Sequence, residues 1–178
     1  MAEDIRARAT RAILRSAFRS LAEAGRDVTV KSICEAAGVS RATFYAHYHD
    51  IYELMAEDEG ELLGALGLDE FGSTFMTAEG KKELYLRILT HMDENEALYR
   101  FYFSHQGNHD FSLVLRDILS AVTEETVRRG LYPSREIAGL STLYHASGLL
   151  RTLRQWMDYG KNKPCTRQEY AEMLSEIS

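Results

Sequence analysis

A chain of 178 residues is long enough for one ordinary core or for a small domain joined to a medium one, and 45% hydrophobic with 27% charged residues are globular values that do not point to disorder. Only two prolines, Pro133 and Pro164, interrupt it, so long helices are permitted and a turn-rich all-β architecture is disfavoured. The net charge of −6 argues against a nucleic-acid partner until it is divided: residues 1–48 hold eight basic and five acidic residues, net +3, and the remainder carries −9.

From Ile5 the apolar positions Ile5, Ala9, Ile13, Ala17 and Leu21, flanked by Leu14 and Phe18, predict a first amphipathic helix that ends at Gly25. Thr29 is placed to cap a second, with Val30, Ile33, Cys34 and Ala37 at helical spacing, and Gly38 breaks it. Ser40 caps a short third helix over 41–47. Asp50 with Glu53 opens a fourth, from Ile51 to about Leu66. The glycine-bearing stretch 67–80 predicts a loop. Helical signal then returns over 81–92, 96–104, 111–129 and 134–159, and Thr166 with Glu169 opens a last helix with Tyr170, Met173, Leu174 and Ile177 as its apolar face. No segment alternates with period two and no long repeat is present. The fold class is all-α, about nine helices, with an N-terminal helix-turn-helix domain at 1–50 and a helical C-terminal domain at 51–178.

Cys34 and Cys165 have no ligand-like spacing, no basic segment leads into an apolar run at the start, and no stretch approaches the roughly 18 apolar residues of a membrane span. A reduced cytoplasmic protein without a membrane anchor is expected, with a disulfide as the alternative.

Residues 29–48, TVKSICEAAGVSRATFYAHY, read as helix, tight turn, short helix. Ala36 and Ala37 are small where two helices cross, Val39 plugs the turn, and the second helix presents Arg41, Ala42, Thr43 and Tyr45, groups suited to a major groove. Over Ile13–Met55 the string resembles the DNA-binding domain of the tetracycline-repressor (TetR) family. The matching residues are Ile13, Ala17, Phe18, Gly25, Val28, Thr29, Ile33, Ala36, Gly38, Val39, Ser40, Thr43, Phe44, Tyr45, His47, Tyr48, Glu53 and Leu54. The resemblance implies that Thr29 and Lys31 face backbone phosphates, that Ser40 is one of the DNA-binding residues, and that Arg41, Ala42 and Thr43 face base edges. It also implies that Tyr45, His47 and Tyr48 contact phosphate or pack the reading helix, and that Phe44 is core. Ile51 stands where such proteins carry a phosphate-binding Lys, and the acids Glu3 and Asp4 leave little of a basic arm.

In the family, the C-terminal helices form a ligand cavity and a two-fold interface. Segment 134–159 has apolar residues on two faces, Leu140, Tyr144 and Leu150 on one, Leu143, Leu153 and Trp156 on the other. One face is therefore expected on the core and the other on a homodimer partner, with Met173 and Ile177 of the last helix joining Leu143, Leu150, Leu153 and Trp156 in the interface. Tyr85, His91, Tyr99, Tyr102, Tyr144 and His145 are the candidates for an effector pocket, although aromatics at helical spacing more often form plain core. His105, His109 and Asp110 have a metal-like spacing that Gly107 and Asn108 make unsuitable for a regular helix, so no metal or other cofactor is expected. Glu57, Asp58, Glu59 and Glu61 form a charge run of the kind that usually marks a solvated helix face. No catalytic motif is present, so an enzyme is not expected. The expected function is a sequence-specific transcriptional regulator of double-stranded operator DNA, a repressor answering to a small molecule. The alternative is a TetR-like interaction protein that has lost DNA binding or ligand response.

Overall fold

In the computed structural model, which describes residues 2–67, 77–104, 120 and 122–177, all regular structure is helical, as expected. The helices are α1 (Ala2–Glu23), α2 (Val30–Ala37), α3 (Arg41–Tyr45), α4 (Ile51–Gly64), α5 (Ala78–Glu94), α6 (Glu96–Tyr102), α7 (122–128), α8 (Arg135–Asp158) and α9 (Arg167–Ile177). Side-chain caps fix most of the starts. Thr29, Ser40, Thr77 and Ser134 each accept the backbone N–H three residues ahead, and Thr166 exchanges hydrogen bonds with Glu169. The Thr77 cap also corrects the predicted 67–80 loop. Gly80 is buried in the first turn of α5, because a satisfied cap outweighs the weak helix propensity of one glycine.

The chain forms two compact units, Met1–Leu62 with Ala97–His109, and Leu63–Glu96 with Asp110–Ser178. In the first, the buried stripe of α1 is Leu14, Ala17, Phe18, Leu21 and Ala22, while Ile5, Ala9 and Ile13 of the predicted stripe are exposed. Four-residue steps overshoot the 3.6-residue turn, so a run of them drifts by about 40° per step around the helix and leaves the core face. Phe18 meets Phe101 edge to face at 5.4 Å, and the Tyr102 hydroxyl donates to Asp58 Oδ2 at 2.9 Å. The acidic run of α4 is not a solvated face. Asp58 and Glu59 are 0% and 2% exposed, and Glu57 and Glu61 pair with arginines of α1.

In the second unit α9 packs on α5, burying Leu89, Met92, Tyr170 and Leu174. Trp156 of α8 stacks on Tyr170 with ring centroids 4.6 Å apart and lies under the Lys163 ammonium at 4.4 Å. Lys163 and Arg167 both pair with Asp93 at the end of α5, and the Tyr170 hydroxyl donates to the Thr152 carbonyl at 2.9 Å. Leu153 and Trp156 are therefore core residues of this unit, which corrects their assignment to an intersubunit interface. The apolar positions of these helices left open are Ile137, Leu140, Leu143 and Tyr144 on α8 and Met173 and Ile177 on α9, with Leu150 half-buried.

Candidate nucleic-acid interface

The turn between α2 and α3 is built by its backbone. Gly38 has φ 66°, and the two carbonyls at the end of α2 are closed by Val39 N–H to Cys34 O at 3.0 Å and Gly38 N–H to Glu35 O at 3.3 Å. Ser40 then caps α3. Its Oγ accepts the Thr43 N–H at 3.0 Å and shares a 2.9 Å hydrogen bond with the Thr43 hydroxyl. Both side chains are thus partly committed to holding the short helix in shape. Phe44 is wholly buried against Tyr48, with centroids 5.6 Å apart, while its neighbour Tyr45 is 57% exposed. On a five-residue helix this puts Arg41, Ala42 and Tyr45 on the outer side, with Thr43 and His47 half-buried at its edge.

Lys31 on α2 is exposed and 3.9 Å from Glu35, and Thr29 is exposed while engaged with Ser32 in a capping box. Tyr48 departs from the outward role. Its ring is buried between α3 and α1, with the Arg11 guanidinium 4.8 Å from the ring centroid, and burial is the largest effect raising its phenol pKa. It anchors the reading helix from behind. Where the family's Lys would stand, the start of α4 is an acidic cap instead. The Glu53 N–H donates to Asp50 Oδ1 at 2.9 Å, and the Glu53 carboxylate accepts the His49 N–H at 2.6 Å.

A ladder that motif reading missed holds α1 to α4. Arg11 pairs with Glu57 at 3.0 Å and lies 3.9 Å from Glu53, Arg15 pairs with Glu57 at 3.3 Å and with Glu61, and Arg19 pairs with Asp58. Its signal is in the sequence: arginines at 11, 15 and 19 match glutamates at 53, 57 and 61, each set on one stripe of a helix. Three of the eight basic residues behind the net +3 are thus paired with acids of α4 rather than left to attract phosphate.

The effector candidates divide between the two units. Tyr85 and His91 lie on α5 in the second unit, Tyr85 buried and His91 half-buried. Tyr99 and Tyr102 belong to the core of the first unit. Tyr144 is 77% exposed and His145 is exposed beside it, its ring edge-on to Tyr144 at 5.5 Å. Of the six, His91 alone lines the cavity of about 350 Å³ formed by the turn after α4 and one side of α5, with Leu66, Leu86, Arg87, Thr90 and Glu94. Desolvation holds the His91 imidazole below its ordinary pKa. The metal-like trio at 105, 109 and 110 lies outside the described residues.

A capped helix, a left-handed glycine turn and a short second helix with its polar side outward define a helix-turn-helix DNA-binding domain. Residues 13–57 match the family of bacterial regulatory proteins, tetR family, and this N-terminal segment carries the DNA-binding domain of such regulators. Neither a curated protein nor a solved structure matches the chain. No described helix is long and apolar enough to cross a membrane.

Proposed function

We propose that the chain is a sequence-specific repressor that binds operator DNA as a homodimer and is released by a small molecule. The observation that carries the reading is the outward side of α3, with Arg41, Ala42 and Tyr45 exposed within the matched segment. In this reading residues 1–50 form the reading head and 51–178 the regulatory body. Arg41 and Ala42 face base edges with Thr43 beside them, Thr29, Lys31, Tyr45 and His47 face phosphates, and Ser40 and Tyr48 hold the helix in register. The dimer forms through the exposed apolar positions of α8 and α9, Leu143, Met173 and Ile177 from the sequence reading with Ile137, Leu140 and Tyr144 added. A two-fold pair of heads suits half-sites about 34 Å apart. The effector enters the second unit beside His91, where a cavity of about 350 Å³ suits a small ligand. A cytoplasmic location follows from the DNA target.

Fluorescence anisotropy with the chain's own upstream DNA tests the reading. Wild type should bind, with affinity falling by orders of magnitude between about 50 and 200 mM salt. Arg41→Ala should lose roughly 1–3 kcal/mol of binding and relax base preference. Indifference of the protein to that DNA and to random DNA alike would favour the interaction-protein alternative, which the acidic cap of α4 and the paired arginines of α1 support.

A further inference from the structure

Two adjacent carboxyl groups are buried on α4, and only one of them is provided with partners. Asp58 receives the Arg19 guanidinium and the Tyr102 hydroxyl. Glu59, 2% exposed, has no hydrogen-bond partner for its buried Oε1 and no ion pair among the described residues. The groups that act on it or feel it are Asp58 on its own helix and, from α6, the hydroxyls of Tyr99 and Tyr102. Burial holds both tyrosines protonated beyond their usual range, so neither titrates alongside it. From α1, the cations Arg15 and Arg19 act on Asp58, and Arg15 is paired with Glu57 and Glu61. A lone carboxylate in such a place either takes up a proton or finds water.

We propose that Glu59 is a proton-operated latch on α4: protonated, it lets α4 stay seated against α6 in the first unit, and ionised, it drives α4 away from that seat toward water. Desolvation, reinforced by the neighbouring Asp58 charge, raises the Glu59 carboxyl from its ordinary 4.5 to about 7, so the latch works near neutral pH. Its consequence for DNA rests on the proposed DNA-binding function. α4 is tied to α1 by the arginine ladder, and Arg11 of that ladder covers Tyr48, the residue that backs α3. A shift of α4 is thereby passed to the reading helix within one unit, and DNA affinity should fall as pH rises through neutrality.

Carboxyl-carbon NMR of the full chain labelled at glutamate decides the latch. One glutamate should titrate near about pH 7 in wild type and be missing in Glu59→Gln, whereas titration of every glutamate below about pH 5.5 would overturn the proposal. Thermal unfolding is the second arm. Wild type should lose several degrees more than Glu59→Gln between about pH 5 and pH 8, and parallel profiles would overturn the effect on seating. The third is operator affinity at constant salt, where wild type should lose several-fold more than the variant between about pH 6 and pH 8. Equal losses overturn the link to the reading helix. No binding by either protein at any pH would sink the DNA-binding function instead, leaving the first two arms to judge the latch.

Discussion

Phe44 and Tyr45 are neighbours in sequence and opposites in role. Phe44→Ala should cost roughly 3–5 kcal/mol of folding stability, because a wholly buried ring leaves a cavity beside Tyr48. Tyr45→Ala removes a mostly exposed ring and should change stability by no more than about 0.5 kcal/mol while weakening binding to every DNA sequence alike. Urea unfolding and anisotropy on the two variants separate these outcomes. A loss of stability in Tyr45→Ala equal to that in Phe44→Ala would show that the outer side of α3 is packed. Gly38 is a different case. A Cβ there would meet nothing within 4 Å, so its importance lies in the left-handed backbone alone. Gly38→Ala should lower stability by roughly 1–2 kcal/mol, read as a lower urea midpoint at unchanged slope.

At the scale of elements, α8 divides along its length. Its buried line runs through Ala138, Thr142, Ala146, Leu153 and Trp156, and the exposed apolar residues gather in the N-terminal half, at Ile137, Leu140, Leu143 and Tyr144. A charge should therefore act differently in the two places. Leu153→Glu buries an unpaired carboxylate in the core and should unfold the second unit. Leu140→Glu should leave the fold intact and convert a dimer to a monomer, as read by light scattering at micromolar concentration. A folded, dimeric Leu140→Glu protein would move the interface off this stripe. The α1–α4 ladder divides in the same way. Its exposed pairs contribute little each, but Arg19→Met strips the cation from the wholly buried Asp58 and should cost roughly 1–3 kcal/mol, softened where Asp58 takes up a proton. Chemical denaturation at about pH 7.5 measures it, and a cost no larger than that of Arg11→Ala would show the Asp58 pair to be dispensable.

For the whole molecule, the buried acids set the direction of the pH response. Burial is the leading cause that raises both Asp58 and Glu59, so the folded chain holds protons that the unfolded chain releases in the same pH range. Stability is then greatest below the unfolded carboxyl range and falls as pH rises from about 4.5 toward 7. A carboxylate paired in the usual way, such as Glu125 with Arg128 and Arg129, acts in the opposite direction, its pKa lowered to about 2. Glu125 is a surface group, and solvent screening keeps its share small. Calorimetry from about pH 4.5 to pH 8 should show a falling melting temperature, and a rising one would mean that the paired surface acids dominate.

The sequence by itself determined what depends on neighbours along the chain. Thr29, Ser40 and Thr166 mark helix starts because a side-chain oxygen reaches an N–H three residues away, and Gly38 marks the turn because its backbone conformation excludes other residues at little cost. The family string is legible for the same reason, since a helix-turn-helix is nearly all local geometry. Tertiary structure decided what depends on rotation and partner. Whether an apolar stripe meets the core or solvent is set by small angles accumulated along a helix, which is why Ile5, Ala9 and Ile13 are outside and Leu153 and Trp156 inside. Tyr85 and His91 fall to a different unit from Tyr99 and Tyr102 for a topological reason, since a list of aromatics carries no information about which helices share a core. The burial of Asp58 and Glu59 was least legible of all. A run of acids is ordinarily held at the surface by the free energy of hydration, and only the convergence of α1, α4 and α6 shows where that rule is broken.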